Sequence, residues 1–288
     1  MPATGKILLS ADTPCDIGPK LKERYGVSLF PLHILLEGRS YTDGKDITPD
    51  FIYQTWREKH VLPQTAAINP EEYVTYFQPY LKDGYDILHI SLGSGLSSSY
   101  QNCKIAAESL PGNVYVVDSC SLSTGFGLLV CEAGERIRSG MPAEQVYEEV
   151  GALVPKTSAS FMVDTLEFLH AGGRCSGLAH LSAEMFKIKP TILVRNDLQG
   201  SMVVGKKYMG KLERALIKYV EDTLKDREDI ALDRCFITFS TIDPALAEQV
   251  MARVKELQPF REVFVTCASC TISAHCGPNT LGVLFLTK

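Results

Sequence analysis

Long apolar runs are missing from this sequence. The longest falls well short of the roughly 18 consecutive residues that cross a bilayer, which excludes a membrane-spanning helix. There is no block of lysine and arginine either. The 29 basic residues are dispersed among 34 acidic ones for a formal net charge of −5, which removes the footprint of a nucleic-acid stripe or an anionic lipid surface. Internal repeats and low-complexity tracts are absent. So are the Gly-x-Ser-x-Gly of serine hydrolases, the Walker loop and the kinase catalytic loop. The opening Met1-Pro2-Ala3-Thr4-Gly5-Lys6 runs straight into a strand pattern, without the charged and apolar regions of a signal peptide. Nine cysteines at irregular spacing then read as reduced thiols, mostly small buried apolar residues, and a cytoplasmic location is expected.

What remains is an ordinary globular composition, 45% hydrophobic over 288 residues, long enough to bury roughly three quarters of the unfolded surface. In the first half, strand and helix signals alternate. Strands are expected at 6–12, 86–92 and 114–118, with an extended run at 27–37 broken by Pro31. Helices are expected at 16–25, 71–81, 99–110 and 124–138. Thr48-Pro49, Asn69-Pro70 and Asp243-Pro244 each place a capping side chain before a proline at the first helical position, and Asn69 with Glu72 makes a capping-box pattern. This rhythm predicts a parallel, Rossmann-like sheet.

The rhythm changes after Pro155-Lys156-Thr157-Ser158. A strand at 160–165, a short helix at 166–170, a helix at 178–186, hairpin arms at 188–194 and 202–208, a helix at 211–225 and strands at 235–240, 263–267 and 281–287 describe a mixed α/β sheet. Residues 268–280 read as a loop. The fold class expected is therefore α/β with two domains, 1–156 and 157–288, and a ligand cleft between them.

Candidate chemistry concentrates at one strand end, Ile90-Ser91-Leu92-Gly93-Ser94-Gly95-Leu96-Ser97-Ser98-Ser99-Tyr100. Ligands of open α/β sheets collect beyond the carboxyl ends of the strands, where the next helix offers free N–H groups. Small residues and hydroxyls there suit a carboxylate or a single phosphate; they equally suit an ordinary helix cap. Gly93-x-Gly95-x-x-Ser98, with Asp118 ending the next strand, also approaches a dinucleotide fingerprint without its third glycine, so a nucleotide-binding enzyme is the alternative. Thr65, in Pro63-Gln64-Thr65-Ala66-Ala67, is a turn residue or a donor. Arg174, after Gly172-Gly173, binds an anion or bonds the carbonyls of the preceding helix end. The run Cys267-x-x-Cys270 with His275-Cys276 holds zinc-ligand types, but no second paired Cys-x-x-Cys exists and no metal is expected. His275, before Cys276-Gly277-Pro278, is either structural or aimed into a cleft.

These segments together resemble the DegV family of fatty-acid-binding proteins. The resemblance rests on Ser10-Ala11-Asp12-Thr13, Pro31-Leu32 with Tyr41-Thr42-Asp43-Gly44, the Pro-x-Thr turn at Thr65, Ser94 to Ser97 with Tyr100-Gln101, Asp118-Ser119, Leu166 through Gly172-Gly173-Arg174, Ile188-Lys189-Pro190 and His275-x-Gly277-Pro278. It spans residues 6–287.

The resemblance implies two α/β domains holding a long-chain fatty acid such as palmitate. Its carboxylate would meet Thr65 and Ser94, with His275 nearby, the Gly95 N–H assisting, and Ser97 and Arg174 in the same site. The acyl chain would be buried in the carboxyl-terminal domain, where Phe161, Met162, Phe168, Leu169, Met185, Phe186 and Ile192 are candidate walls. It further implies a carrier without a cofactor or catalysis of its own, presenting the acid to a separate fatty-acid kinase. The chain departs from the family pattern in three places: Thr65-Ala66-Ala67-Ile68 replaces Thr-Ser-x-Pro, Leu96-Ser97-Ser98-Ser99 replaces Leu-Ser-Gly-Thr, and Met209 stands where many relatives carry arginine.

Overall fold

The computed structural model describes residues 5–176 and 188–288. In chain order the amino-terminal strands are β1 (Lys6–Asp12), β2 (Ser28–Phe30), β3 (His33–Leu36), β4 (Arg39–Thr42), β5 (Gln64–Ala66), β6 (Tyr85–Ser91) and β7 (Val114–Asp118). The helices among and after them are α1 (Gly18–Tyr25), α2 (Pro49–Lys59), α3 (Pro70–Lys82), α4 (Ser99–Ser109), α5 (Thr124–Arg138) and α6 (Ala143–Leu153). Strands β2-β1-β6-β7 form a wholly parallel sheet, as the alternating rhythm predicts. All three capped helix starts form. Thr48 Oγ1 accepts the Phe51 N–H, Asp243 accepts the Ala245 N–H, and Asn69 with Glu72 closes the reciprocal capping box.

The carboxyl-terminal strands are β8 (Thr157–Met162), β9 (Cys175–Ser176), β10 (Ile188–Arg195), β11 (Ser201–Met209), β12 (Ile230–Ser240), β13 (Glu262–Cys267) and β14 (Thr280–Thr287). They make a mixed sheet in the order β13-β12-β14-β8-β10-β11-β9. Helices α7 (Glu167–Gly172), α8 (Leu212–Leu224), α9 (Pro244–Leu257) and α10 (Cys270–Cys276) belong to this half. The expected hairpin is present, with β10 and β11 antiparallel around residues 196–200. The largest group of buried apolar side chains is shared by both sheets: it contains Leu8 and Ile90 from the first, Phe161, Ile192 and Phe236 from the second, and Phe126 and Leu129 of α5.

Two expectations are corrected. Residues 64–66, read as loop, pair antiparallel with β3 and complete a small sheet β4-β3-β5, which carries Thr65 opposite Ile34. Most of the loop expected at 268–280 is helix α10. Its start is satisfied from outside: Ser269 Oγ accepts the Ile272 N–H, Asp43 accepts the N–H groups of Cys270 (3.0 Å) and Thr271 (3.2 Å), and Asp16 accepts that of Ser269 (2.9 Å). Beyond the Ser269 cap, a short helix whose other first donors are satisfied by side chains far away in sequence carries little local pattern to read. The helix expected at 178–186, with Met185 and Phe186, lies outside the described residues.

Candidate functional site

A cavity of about 300 Å³ opens beyond the carboxyl ends of β2, β6 and β7, between the parallel sheet and the mixed one. Leu32 follows β2, Leu92, Leu96, Ser97 and Ser98 follow β6, and Leu122 and Ser123 follow β7; the far wall includes Phe161, Leu169, Met202, Phe239 and Leu284. The position is the one expected of an open α/β sheet, and its size and mostly apolar lining are those of a small-molecule site.

The strand ends are held in place by one buried carboxylate. Asp12, last residue of β1, accepts hydrogen bonds from the Ser91 hydroxyl (2.8 Å), the Leu92 N–H (2.8 Å) and the Tyr73 hydroxyl (2.9 Å), and its Oδ1 lies 3.2 Å from His89 Nε2. Burial would raise this carboxyl, but His89 and the donors outweigh it and the group is held below its ordinary value. His89 Nδ1 in turn meets Ser10 Oγ at 2.9 Å. The Ser–His–Asp chain has the order of a hydrolytic triad, yet all three residues are wholly buried and none lines the cavity. Its role is to fix the turn that follows β6.

Thr65, Ser97, Arg174 and His275 all line this cavity. Thr65 Oγ1 lies 2.9 Å from His275 Nε2. Burial, reinforced by the Arg174 cation, pushes the imidazole down to about 4, so it is neutral at pH 7. Its Nδ1 is buried and, among the described residues, has no hydrogen-bond partner. The proton therefore belongs on Nε2, the one placement that leaves no buried N–H unpaired. His275 then donates to Thr65 Oγ1, and the threonine's own hydrogen is free to point at a ligand. Gly172 makes room for the ring: a Cβ there would stand 2.3 Å from Nδ1.

Of the two readings of Arg174, the structure shows the bond to the helix-end carbonyl. The residue lines the cavity, and its Nη1 donates to the Gly172 carbonyl (2.5 Å). Ser97 Oγ accepts the Ser99 N–H (3.2 Å) and lies 2.9 Å from Ser99 Oγ.

Ser94 and Gly95 are placed differently from the expectation. Neither lines the cavity; the Ser94 N–H donates to Asp118 Oδ1 (3.0 Å) and the Gly95 N–H donates to the Gln199 carbonyl (2.9 Å), so that donor is not open to a ligand. The nucleotide alternative fails on the same contacts. The Gly93–Gly95 turn is roofed by residues 198–201, with a Cβ at Gly95 only 2.9 Å from the Gln199 carbonyl and one at Gly93 2.8 Å from Ser121 N. No pyrophosphate fits there, and Asp118 is occupied by the N–H groups of Ser94 and Cys120.

Of the expected wall residues, Phe161 and Leu169 line the cavity. Phe168 instead stacks edge-on against Tyr53 and Trp56, and Met162 and Ile192 are core. The cysteines are not gathered for a metal. Cys270 Sγ donates to the Ile47 carbonyl and Cys276 Sγ to that of Gly277. Among the described residues no cluster of His, Cys, Asp or Glu is arranged to hold an ion, and no helix is long and apolar enough to cross a membrane.

Sequence reasoning missed the lining residues Leu32, Ala66, Thr238, Ser240, Thr271 and Thr280. Alternation along β12 and the Ser269 cap three residues before Ile272 were the signals available for part of that set.

The fold and site define a class: an α/β protein with a parallel and a mixed sheet and a largely apolar cavity between them, lined on its polar side by Thr65, Ser97, Arg174 and His275. Residues 6–288 match the family described as "Uncharacterised protein, DegV family". This chain belongs to the DegV family. It is 27% identical to a DegV domain-containing protein of Clostridium acetobutylicum, over 98% of this chain and 99% of that one. A Thermus thermophilus DegV family protein, whose solved structure is described as showing fatty-acid binding, is 29% identical with a TM-score of 0.84, covering 98% of this chain and 100% of that one. A DegV lipid-binding protein of Thermotoga maritima shares the fold, with a TM-score of 0.85 at 23% identity over 98% of both chains.

Proposed function

We propose that this chain binds a long-chain fatty acid, with the carboxylate at the mouth formed by Thr65, Ser97, Arg174 and His275 and the acyl chain in the cavity behind it. The observation that carries this reading is the Thr65–His275 pair at the edge of an apolar cavity; the fatty-acid binding described for the Thermus thermophilus relative supports it. A buried methylene contributes about 0.8 kcal/mol, so an acyl tail supplies most of the affinity and the mouth has only to fix the head group. The hydroxyls of Thr65 and Ser97 suit that division of labour, since donors with a single hydrogen leave one carboxylate oxygen open to a phosphoryl donor. Ser94 and Gly95 then act one step back, holding the turn that presents Ser97.

The role we infer is that of a non-catalytic carrier serving a separate fatty-acid kinase. Val204 to Lys211, which carries Lys206, Lys207 and the largely exposed Met209, is the surface proposed for that partner. Residues 1–156 and 157–288 are its two proposed structural halves. Native mass spectrometry of the protein purified from cells tests the ligand. A co-purifying fatty acid is the expected result; a nucleotide mass in its place overturns the reading.

A further inference from the structure

The cavity has a second polar region that a plain hydrocarbon tail does not explain. Ser123, Thr238, Ser240, Thr271 and Thr280 all line it. They converge from four elements. Ser240 and Thr280 are direct partners across β12 and β14, so their side chains are neighbours on one face of the sheet. Thr238 lies two residues before Ser240 on that same face. Thr271 enters from α10, and Ser123 from the start of α5. A wall meant only for methylenes would carry valine or alanine at these places, which have similar shape and no hydroxyl.

The direction of the hydroxyl hydrogens gives the cluster a sign. Thr271 donates to Asp43 Oδ2 (2.6 Å), Ser123 to Asp16 Oδ2 (2.6 Å) and Thr280 to the Cys276 carbonyl (2.8 Å). Each hydrogen points back into the protein, so what remains for the cavity is oxygen lone pairs. Such a surface accepts hydrogen bonds. It suits a ligand group that donates, and it offers no hydrogen to a second anion. Ser240 Oγ is paired with the Tyr53 hydroxyl, and Thr238 Oγ1 with Thr124 (2.6 Å) and Thr266 (3.0 Å), which holds the cluster rigid.

Helix α10 also sets the distance between the two polar regions. His275 at the mouth and Thr271 in the inner cluster are four residues apart, one turn, or about 6 Å along the axis. That span corresponds to about five carbons of an extended chain.

We propose that the acid this site prefers carries a hydroxyl group a few carbons from its carboxylate, donated to the acceptor cluster of Ser240, Thr271 and Thr280. This rests on the fatty-acid reading and names the substrate class within it. An unsubstituted tail strips water from those oxygens and gives nothing back, whereas a hydroxylated one replaces the lost bond.

The test is a competition titration against a fluorescent fatty acid, using the full chain freed of lipid. The probes are palmitic acid and a series of palmitic acids with one hydroxyl at successive carbons. The wild-type protein should bind the best hydroxy acid at least about fivefold more tightly than palmitic acid, with a peak at one or two positions. In the double variant Ser240→Ala, Thr280→Val the peak should flatten to within about twofold, with palmitic acid bound as well or better. The wild-type series needs no variant, so it decides the matter even if the double variant does not fold. Palmitic acid binding as tightly as every hydroxy acid overturns the proposal and leaves fatty-acid binding standing. Failure of all the acids to bind overturns the fatty-acid reading, and this inference with it.

Discussion

Replacing Gly172 with alanine sets two effects of one methyl group against each other. Gly172 closes helix α7 with a backbone outside the left-handed region, so alanine is conformationally acceptable and favours the helix by up to about 1 kcal/mol. The same methyl would stand 2.3 Å from His275 Nδ1. To restore ordinary contact the ring has to retreat by about an ångström. Nδ1 and Nε2 point out on opposite sides of the ring, so that retreat would drive Nε2 against Thr65 Oγ1, already 2.9 Å away, and the pair cannot keep its present geometry.

The helix gains while the mouth loses its orientation. The expected result is an unchanged or slightly raised melting temperature together with fatty-acid affinity reduced by about 1–2 kcal/mol, roughly fivefold to thirtyfold. Displacement of a fluorescent fatty acid measures the affinity, and a thermal melt with and without ligand measures the stability. A variant that melts higher and binds as the parent does would show that the imidazole can move without consequence, and the role given to the Thr65–His275 pair would be refuted.

Two further outcomes follow from the same geometry. Asp16 is raised from 3.8 to about 8 by burial, to which the neighbouring Asp43 adds. The folded chain therefore keeps a proton that the unfolded chain releases near pH 4. Stability from this group is full below that point and declines as pH rises toward 8, by up to about 1.4 kcal/mol per unit. In Asp16→Asn, urea midpoints between pH 5 and 8 should lose that downward slope; parallel slopes in the two proteins would contradict the assignment. Ser97→Ala should weaken fatty-acid binding by about 1 kcal/mol whereas Ser94→Ala should leave it nearly unchanged; isothermal titration of both variants checks the pair, and the reverse ranking would move the carboxylate to the other serine.

Much of the fold was legible because its signals are local. The Asn69–Glu72 capping box, the proline starts at Pro49, Pro70 and Pro244, and the alternation of strand and helix up to Arg138 all depend on residues within a few positions of one another. Helix α10 offered one local signal, the Ser269 cap; its other first donors are satisfied by Asp43 and Asp16 from more than two hundred residues away. Thr65 and His275 were recognisable as separate candidates, but their meeting depends on β5 pairing with β3 and on Gly172 leaving space for a ring. The placing of Ser97 at the cavity, with Ser94 outside it, depends on how the turn after β6 folds under residues 198–201. Both serines carry the same side chain in the same kind of sequence, and only the fold distinguishes them.

Because Phe126 and Leu129 of α5 pack into the same oily interior as Leu8 and Phe161, the two halves share part of their inside, although the carboxyl-terminal half also has a core of its own around Tyr219, Val250 and Phe285. Cut at residue 156 and made as two pieces, each would present raw apolar surface and be expected to precipitate.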